Sequence, residues 1–187
     1  MSINEAGMLA PTTSTRTRPP GRATKEYYTG RPAALTKFTP GPIMDPMPQV
    51  VFLQKVPKRK ESPVPSPALT LLDGLGIDGD CHVKRGGSRQ VLLMSEENCD
   101  AFALAPGEVR ENIVTRGLDL QALPSGTRLE IGGAALEITK DCEPCAFIDA
   151  LRPGLRERMV RRRGMLARVV RSGEIRVGDE IVEVRPA

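Results

Sequence analysis

The sequence contains few aromatic side chains and little histidine. It has no Trp, its aromatic residues make up 3% of the chain, and His82 is its only histidine. Single-stranded nucleic acids are held largely by aromatic stacking, and the sequence carries no recognisable nucleic-acid-binding motif. We therefore expect no nucleic-acid partner.

Long apolar runs are missing as well. A membrane-spanning helix needs a run of about 18 apolar residues, and none occurs. The start of the chain lacks the basic segment followed by an apolar one that marks a signal peptide. Its Arg-, Ser- and Thr-rich character resembles an organelle transit peptide, but Glu5 and Glu26 weigh against that interpretation. Four cysteines without a secretion signal suit a reducing compartment, so we expect a cytoplasmic protein without a membrane partner.

The positive charge is concentrated near the beginning of the chain. Residues 1–47 hold six Lys/Arg and three Asp/Glu, whereas the remainder holds 21 and 20 and is nearly neutral. Pro, Thr and Arg crowd this first segment, which has too little apolar surface to offset the entropy lost on ordering. We expect residues 1–47 to form a disordered or loosely attached tail. Residues 48–187 are long enough for one domain with a sizeable core.

Short β-branched and alternating segments dominate the rest of the sequence. Residues 49–56 and 89–94 are strand-like, and 128–138 form a hairpin pattern around Gly132-Gly133. Ser95 is a good N-cap for a helix that follows it. About seven strands and two or three helices are predicted, and this proportion favours a mainly β barrel over a parallel α/β sheet.

A C-x-x-C motif follows the hairpin. It consists of Cys142 and Cys145, and Pro144 restricts the backbone just before the second cysteine. A thiolate at Cys145 can attack an electrophile, carry sulfur or bind a soft metal. The alternatives are an inert buried cysteine, half of a zinc site, a redox pair and a disulfide.

The only histidine lies in a turn-rich segment, G-I-D-G-D-C-H. Asp80 can orient His82 or stabilise its charge, which would make the pair a candidate acid–base site. The alternative is an ordinary loop in which the Asp side chains cap turns.

Another candidate site is the run E-V-R-E-N-I-V. If this run is a strand, Arg110 and Asn112 share one face and Glu111 points away, because side chains alternate. An arginine and an amide on one face can hold a phosphate or the edge of a heterocycle. The alternative is a surface strand whose charges are already paired.

Taken in order, these segments resemble the MOSC domain, the C-terminal domain of molybdenum cofactor sulfurases that also occurs as small separate proteins. The resemblance covers roughly residues 49–185 and depends on the order of its motifs. The motifs are G-I-D-G-D-C-H, S-R-Q-V-L-L, V-R-E-N-I-V-T-R-G-L-D-L, L-P-S-G-T-R-L-E-I-G, C-E-P-C and R-S-G-E-I-R-V-G-D-E-I.

The resemblance implies a β-barrel with a few short helices around a cleft, and a cysteine in the cleft that carries sulfur or binds molybdenum. Cys145 matches that cysteine. The other matching site positions are Asp80, His82, Arg89, Arg110, Glu111, Asn112 and Ile113.

The implied function is binding of the molybdenum cofactor, with Cys145 as molybdenum ligand or persulfide carrier. Arg89, Arg110 and Asn112 would hold the pterin and its phosphate, and His82 would donate a proton or support the site. The activity would be sulfur transfer from an external donor or reduction of N-hydroxylated compounds with electrons from a partner. The chain is too short for the pyridoxal-phosphate desulfurase domain of larger relatives.

Two alternatives need no molybdenum cofactor. The first is a zinc-binding module of Cys81, His82, Cys142 and Cys145. Adjacent residues of an extended segment point in opposite directions, so Cys81 and His82 are not expected to share one ion. The second is a thiol-redox protein of Cys142 and Cys145, which lacks the βαβ context of such motifs.

Overall fold

Strands dominate residues 47–185, the part of the chain that the computed structural model describes. The predicted N-terminal tail lies outside this range apart from Met47. The strands are β1 (Gln49–Lys55), β2 (Val64–Pro65), β3 (Ala68–Leu72), β4 (Gly76–Ile77), β5 (Val91–Ser95), β6 (Ile113–Arg116), β7 (Arg128–Ile131), β8 (Ala134–Asp141), β9 (Met165–Arg171), β10 (Gly173–Arg176) and β11 (Ile181–Val184).

The helices are few and short. They are α1 (Glu96–Ala101), α2 (Ala146–Leu151) and α3 (Leu155–Arg158), with one 3₁₀ turn at Leu120–Ala122. None of the helices among residues 47–185 has the length and apolar character needed to cross a bilayer.

Eight of the strands form one sheet that curls back on itself. Its order is β11-β7-β8-β9-β5-β6-β1-β2. Backbone hydrogen bonds connect the start of β1 with the start of β11: Val50 N donates to Asp179 O (2.9 Å), and Ile181 N donates to Pro48 O (2.7 Å). These bonds join β11, at one edge of the sheet, to β1, the strand next to the other edge. The prediction of a mainly β, barrel-like fold with a few short helices is confirmed. A smaller sheet, β10-β3-β4, accompanies the large one.

The interior of the curled sheet follows from alternation along its strands. In β7, Leu129 and Ile131 are buried while Arg128 and Glu130 are exposed. The hairpin to β8 turns at Gly132, whose φ is 53°. A Cβ there would lie 2.8 Å from the Glu174 carbonyl oxygen, so the turn requires glycine. The predicted hairpin is confirmed.

The β5–α1–β6 unit brings the candidate site residues into place. All five residues of β5 are buried, and β5 runs parallel to β6, with Leu93 opposite Ile113. Ser95 caps α1, since its hydroxyl accepts from Asn98 N (3.2 Å). Because β6 runs parallel to β5, the chain must return before β6 begins, and residues 110–112 lie beside the start of β5. Asn112 N donates to Leu92 O (2.8 Å).

Candidate functional site

A cavity of about 500 Å³ lies beside the first residues of β5. We call it the cysteine cavity, because Cys142 and Cys145 both line it. Five of the predicted site residues form part of its wall: His82, Arg89, Arg110, Asn112 and Cys145. Segments distant in sequence therefore converge on one site.

Cys145 is held at the point where α2 begins. After β8, a hydrogen bond from Cys142 N to Gly164 O (2.9 Å) fixes the backbone. Pro144, which immediately precedes Cys145, is buried. Cys145 is the N-cap of α2, and its carbonyl accepts from Ile148 N (3.0 Å). Its thiol is exposed and makes no capping bond with any described residue. The backbone is thus fixed while the sulfur remains accessible.

Cys145 also lines a second cavity, of about 340 Å³. The two cavities share Arg89, Cys145 and Leu166. The second one is bordered by charged side chains of both signs, among them Lys140 and Glu143. The thiol can therefore be approached from two sides.

The two interior cysteines differ in character from Cys145. Burial raises the pKa of the Cys142 thiol, although the positive charges of Arg163 and Arg89 oppose the shift. Burial, reinforced by the charge of Glu111, raises the pKa of Cys99 to about 12. Cys99 packs in a hydrophobic cluster. Both thiols are protonated at neutral pH and are poor nucleophiles.

Asp80 orients His82. Oδ1 of Asp80 accepts from the His82 backbone N–H and lies 2.8 Å from the ring Nδ1, while Oδ2 accepts from Val56 N (2.7 Å). Burial raises the pKa of the Asp80 carboxyl, but the hydrogen bonds from His82 and Val56 outweigh it, and the pKa lies below its usual value. The ionised carboxylate assigns the ring proton to Nδ1 and leaves Nε2 for chemistry. Asp80 itself does not line the cavity.

Arg110 reaches the cavity differently from the prediction. It does not lie on a strand, because it precedes β6 and has a φ of 64°, which is incompatible with a ladder. Its guanidinium carbon lies 4.9 Å from the centre of the Phe147 ring, in a cation–π contact. The alternation argument was wrong, although Arg110 and Asn112 do share the cavity.

Asn112 and Glu111 are both buried, but only Asn112 lines the cavity. The Asn112 side chain is buried, accepts from Leu92 N (3.0 Å) and donates to Gln54 O (3.3 Å), yet it forms part of the cavity wall. Glu111 is fully buried and does not line the cavity. It accepts instead from Gly107 N (2.6 Å). Glu111 is one of the site positions implied by the resemblance, but its carboxylate faces the interior and does not line the cysteine cavity.

Arg163 is a cavity residue that the sequence did not single out. It is only 6% exposed, and its Nη2 donates to Val109 O (2.7 Å). Its Nε and Nη1 have no hydrogen-bond partner among the described residues. Nothing in the R-R-R run at 161–163 distinguishes the one arginine that turns inward.

The charge of the cysteine cavity is one-sided. Lys60, Arg89, Arg110 and Arg163 line it, and no carboxylate from the described part of the chain does. Positive charge in a concave site attracts anions. The cavity thus combines an exposed soft sulfur, an imidazole and an anion-attracting wall.

The expectation that Cys81 and His82 point in opposite directions also needs a correction. Residues 81–82 lie in a turn, and the Cys81 Sγ is 3.5 Å from His82 Nδ1. The two side chains are therefore neighbours and do not point in opposite directions.

A further cavity, of about 390 Å³, contains neither thiol nor imidazole. It lies near α1, where Arg162 donates two bonds to the Asn98 Oδ1 (2.9 and 3.1 Å). It contains none of the predicted site residues.

Comparison with solved structures supports the assignment of the fold. A structure of YuaD from Bacillus subtilis matches at 25% identity, with a TM-score of 0.62 over 72% of this chain and 94% of that one. YiiM from Geobacillus stearothermophilus matches at 16% identity, with a TM-score of 0.59 over 74% and 75%. YiiM from Escherichia coli matches at 21% identity, with a TM-score of 0.56 over 76% and 72%. No curated protein sequence matches the chain.

The family comparison covers the site itself. The family model described as "MOSC domain" matches residues 78–182, which is more than half of the chain. The matched region includes the Asp80–His82 pair, Arg110 and the C-x-x-C motif. The chain therefore belongs to the MOSC domain family.

Proposed function

We propose that this protein binds the molybdenum cofactor in the cysteine cavity and uses Cys145 as molybdenum ligand and sulfur carrier. The observation that carries the proposal is one exposed thiol at the edge of a cavity lined by four cationic side chains and, among the described residues, by no carboxylate. The family is associated with this cofactor.

The donor set of the cavity fits such a group. Thiolate sulfur is a soft ligand suited to a soft or borderline metal centre. Arg89 and Arg110 are exposed and can form charge-assisted hydrogen bonds to a phosphate. Arg163, two of whose nitrogens have no partner among the described residues, adds positive charge to the cavity wall. The volume of about 500 Å³ lies within the usual range of small-molecule sites. When bound, the cofactor would supply a redox-active metal that accepts sulfur or oxygen.

For sulfur transfer, Cys145 acts as the nucleophile. Its thiolate attacks the outer sulfur of a donor persulfide, R–S–SH, forming Cys145–S–SH and releasing R–S⁻, which takes up a proton. The second cavity gives the donor an approach that leaves the cysteine cavity free. The persulfide donor is a separate reactant, since no group in the described cavity supplies sulfane sulfur.

His82 supports a second activity at the same site, the reduction of N-hydroxylated compounds. Such a reduction consumes two electrons and two protons, and releases water from the N–O bond. The imidazolium form of His82, with its Nδ1–H held by Asp80, would donate the Nε2 proton on the cavity wall. The electrons would come from a partner protein.

The direct test is metal and pterin analysis of the full chain purified from molybdate-fed cells, as wild type and as Cys145→Ser. We expect equimolar molybdenum and pterin in the wild type and loss of molybdenum from the variant. Wild-type protein without molybdenum or pterin would overturn the cofactor assignment. If the cofactor is bound, mass spectrometry after incubation with a persulfide donor tests for 32 Da added at Cys145, the mass of one sulfur atom expected from thiol–persulfide exchange, roughly one per chain.

A further inference from the structure

We propose that Cys81 and His82 form a binding site for a thiophilic divalent cation of the Zn²⁺ type at the wall of the cysteine cavity. This inference does not depend on the proposed function, because it uses a different thiol. It also goes beyond the zinc alternative considered from the sequence, because it needs neither Cys142 nor Cys145.

The turn at residues 80–82 brings the two ligand atoms together. Asp80 N donates to Ile77 O (3.1 Å), Val83 N to Asp80 O (3.2 Å) and Cys81 N to Val56 O (2.7 Å). With the backbone bent in this way, the Cys81 sulfur lies 3.5 Å from His82 Nδ1 and 3.9 Å from Nε2. Tetrahedral zinc, with Zn–S of about 2.3 Å and Zn–N of about 2.1 Å, places a sulfur and a nitrogen ligand roughly 3.6 Å apart. The spacing therefore suits joint ligation after a small side-chain adjustment.

Asp80 already occupies the supporting position of such a site. A metal-binding imidazole usually donates its second ring N–H to a carboxylate, which fixes the tautomer and makes the ring more basic. Asp80 Oδ1 lies 2.8 Å from His82 Nδ1. The carboxylate is buried, and Val56 N and the Asn112 amide hold its other oxygen. This assigns Nε2 as the ligand atom and Asp80 as the group that positions it.

The site is open to solution. The His82 side chain is 57% exposed and Cys81 is half-buried, so water or a solute can complete the coordination. Structural zinc sites are closed by four protein ligands, whereas this one offers two, so we expect a reversible site rather than a structural one.

A cation at this position changes the chemistry of the cavity. His82 lines the cavity, and its Nε2 cannot hold a metal and donate a proton at the same time. His82 therefore cannot act as an acid or base while it binds a metal ion.

Cobalt(II) is the probe of choice, because thiolate ligation gives an intense near-ultraviolet charge-transfer absorption. Full-length protein treated with a chelator is titrated with Co²⁺, as wild type, Cys81→Ser, His82→Ala and Cys145→Ser. We expect the absorption in the wild type and in Cys145→Ser, its absence in Cys81→Ser, and binding weakened about tenfold or more in His82→Ala. Circular dichroism and thermal unfolding confirm that each variant is folded.

Three results would overturn the proposal. They are no charge-transfer absorption in the wild type, unchanged absorption in Cys81→Ser, or loss of the absorption in Cys145→Ser, which would place the ion at the C-x-x-C motif. The outcome is separable from that of the cofactor assignment. Molybdenum is lost with Cys145, whereas the cobalt absorption is lost with Cys81, and each proposal can fail alone.

Discussion

Oδ1 of the Asp80 carboxylate lies 2.8 Å from Nδ1 of the His82 ring, and the same oxygen accepts from the His82 backbone N–H. The carboxylate thus fixes both the turn and the tautomer of His82, the only histidine of the sequence. Its other oxygen ties the turn to the end of β1 through Val56 N. One side chain therefore links the stability of the barrel to the chemistry of the cavity.

Replacing Asp80 with Asn is expected to destabilise the protein by about 1–3 kcal/mol at neutral pH. Both carboxylate oxygens accept from N–H groups, whereas Asn has one acceptor oxygen, so either Val56 N–H or the N–H groups of His82 lose their acceptor. The folded pKa of Asp80 lies below the reference value of 3.8. The unfolded chain therefore takes up the proton first as the pH falls. The stabilisation is complete above that value and is lost as the pH falls through the folded pKa.

Urea unfolding at neutral pH and at about pH 3 measures this difference. The gap between wild type and Asp80→Asn should shrink on acidification. Asp73→Asn is the matched control, because Asp73 is exposed, and its effect should stay within about 0.5 kcal/mol. A gap that is independent of pH would show that the ionised carboxylate does not supply the stabilisation.

The two cysteines of the C-x-x-C motif should separate into functional and structural roles. Cys145→Ala removes an exposed thiol and should change the free energy of unfolding by less than about 0.5 kcal/mol, while it abolishes molybdenum retention and persulfide formation. Cys142→Ala removes a buried side chain and should cost about 1 kcal/mol, while much of the cofactor is retained.

Thermal unfolding together with molybdenum analysis of both variants checks this prediction. Equal loss of molybdenum in the two variants, at equal stability, would mean that the thiols act as one site.

The regular parts of the barrel were predictable, because a strand with one buried face shows alternating apolar and polar residues in the sequence. The alternation around Gly132 predicted the β7–β8 hairpin, and the strand-like segments 49–56 and 89–94 contain most of β1 and β5. The two-residue strands β2 and β4 were missed. They are held by pairing with neighbouring strands, and two residues are too few to show a period.

The site was only partly predictable, because its residues converge through loops. Arg110 has a positive φ that non-glycine residues rarely adopt, and no sequence pattern marked it. Burial of Glu111 and Arg163 depends on which way the chain enters β6 and β9, which is decided by packing. The close approach of the Cys81 and His82 side chains was likewise not predicted, because the zinc argument treats the two residues as part of an extended segment.

Arg110 is expected to bind the phosphate of the cofactor directly. Arg110→Ala removes a charged hydrogen bond worth about 1.5–3 kcal/mol, which corresponds to a loss of affinity of roughly 10- to 150-fold. Cofactor binding by the apoprotein, followed by pterin fluorescence, measures the change.

Arg176→Ala is the matched control for Arg110. Arg176 is an exposed arginine on β10 that pairs with Glu174 and does not line the cavity. Its substitution should leave the affinity unchanged. If Arg110→Ala and Arg176→Ala behave alike, Arg110 does not contact the cofactor.

Arg163 is expected to provide the cysteine cavity with affinity for anions even without the cofactor. Its guanidinium is buried, and two of its three nitrogens are unpartnered among the described residues, so its charge is poorly compensated. An anion that enters the cavity lowers that electrostatic cost and stabilises the folded state. Inorganic phosphate should therefore raise the melting temperature of the wild-type apoprotein more than that of Arg163→Met. Arg158→Met, which alters an exposed arginine at the end of α3, should respond to phosphate as the wild type does. The same response in Arg163→Met would mean that the buried charge does not act on the cavity.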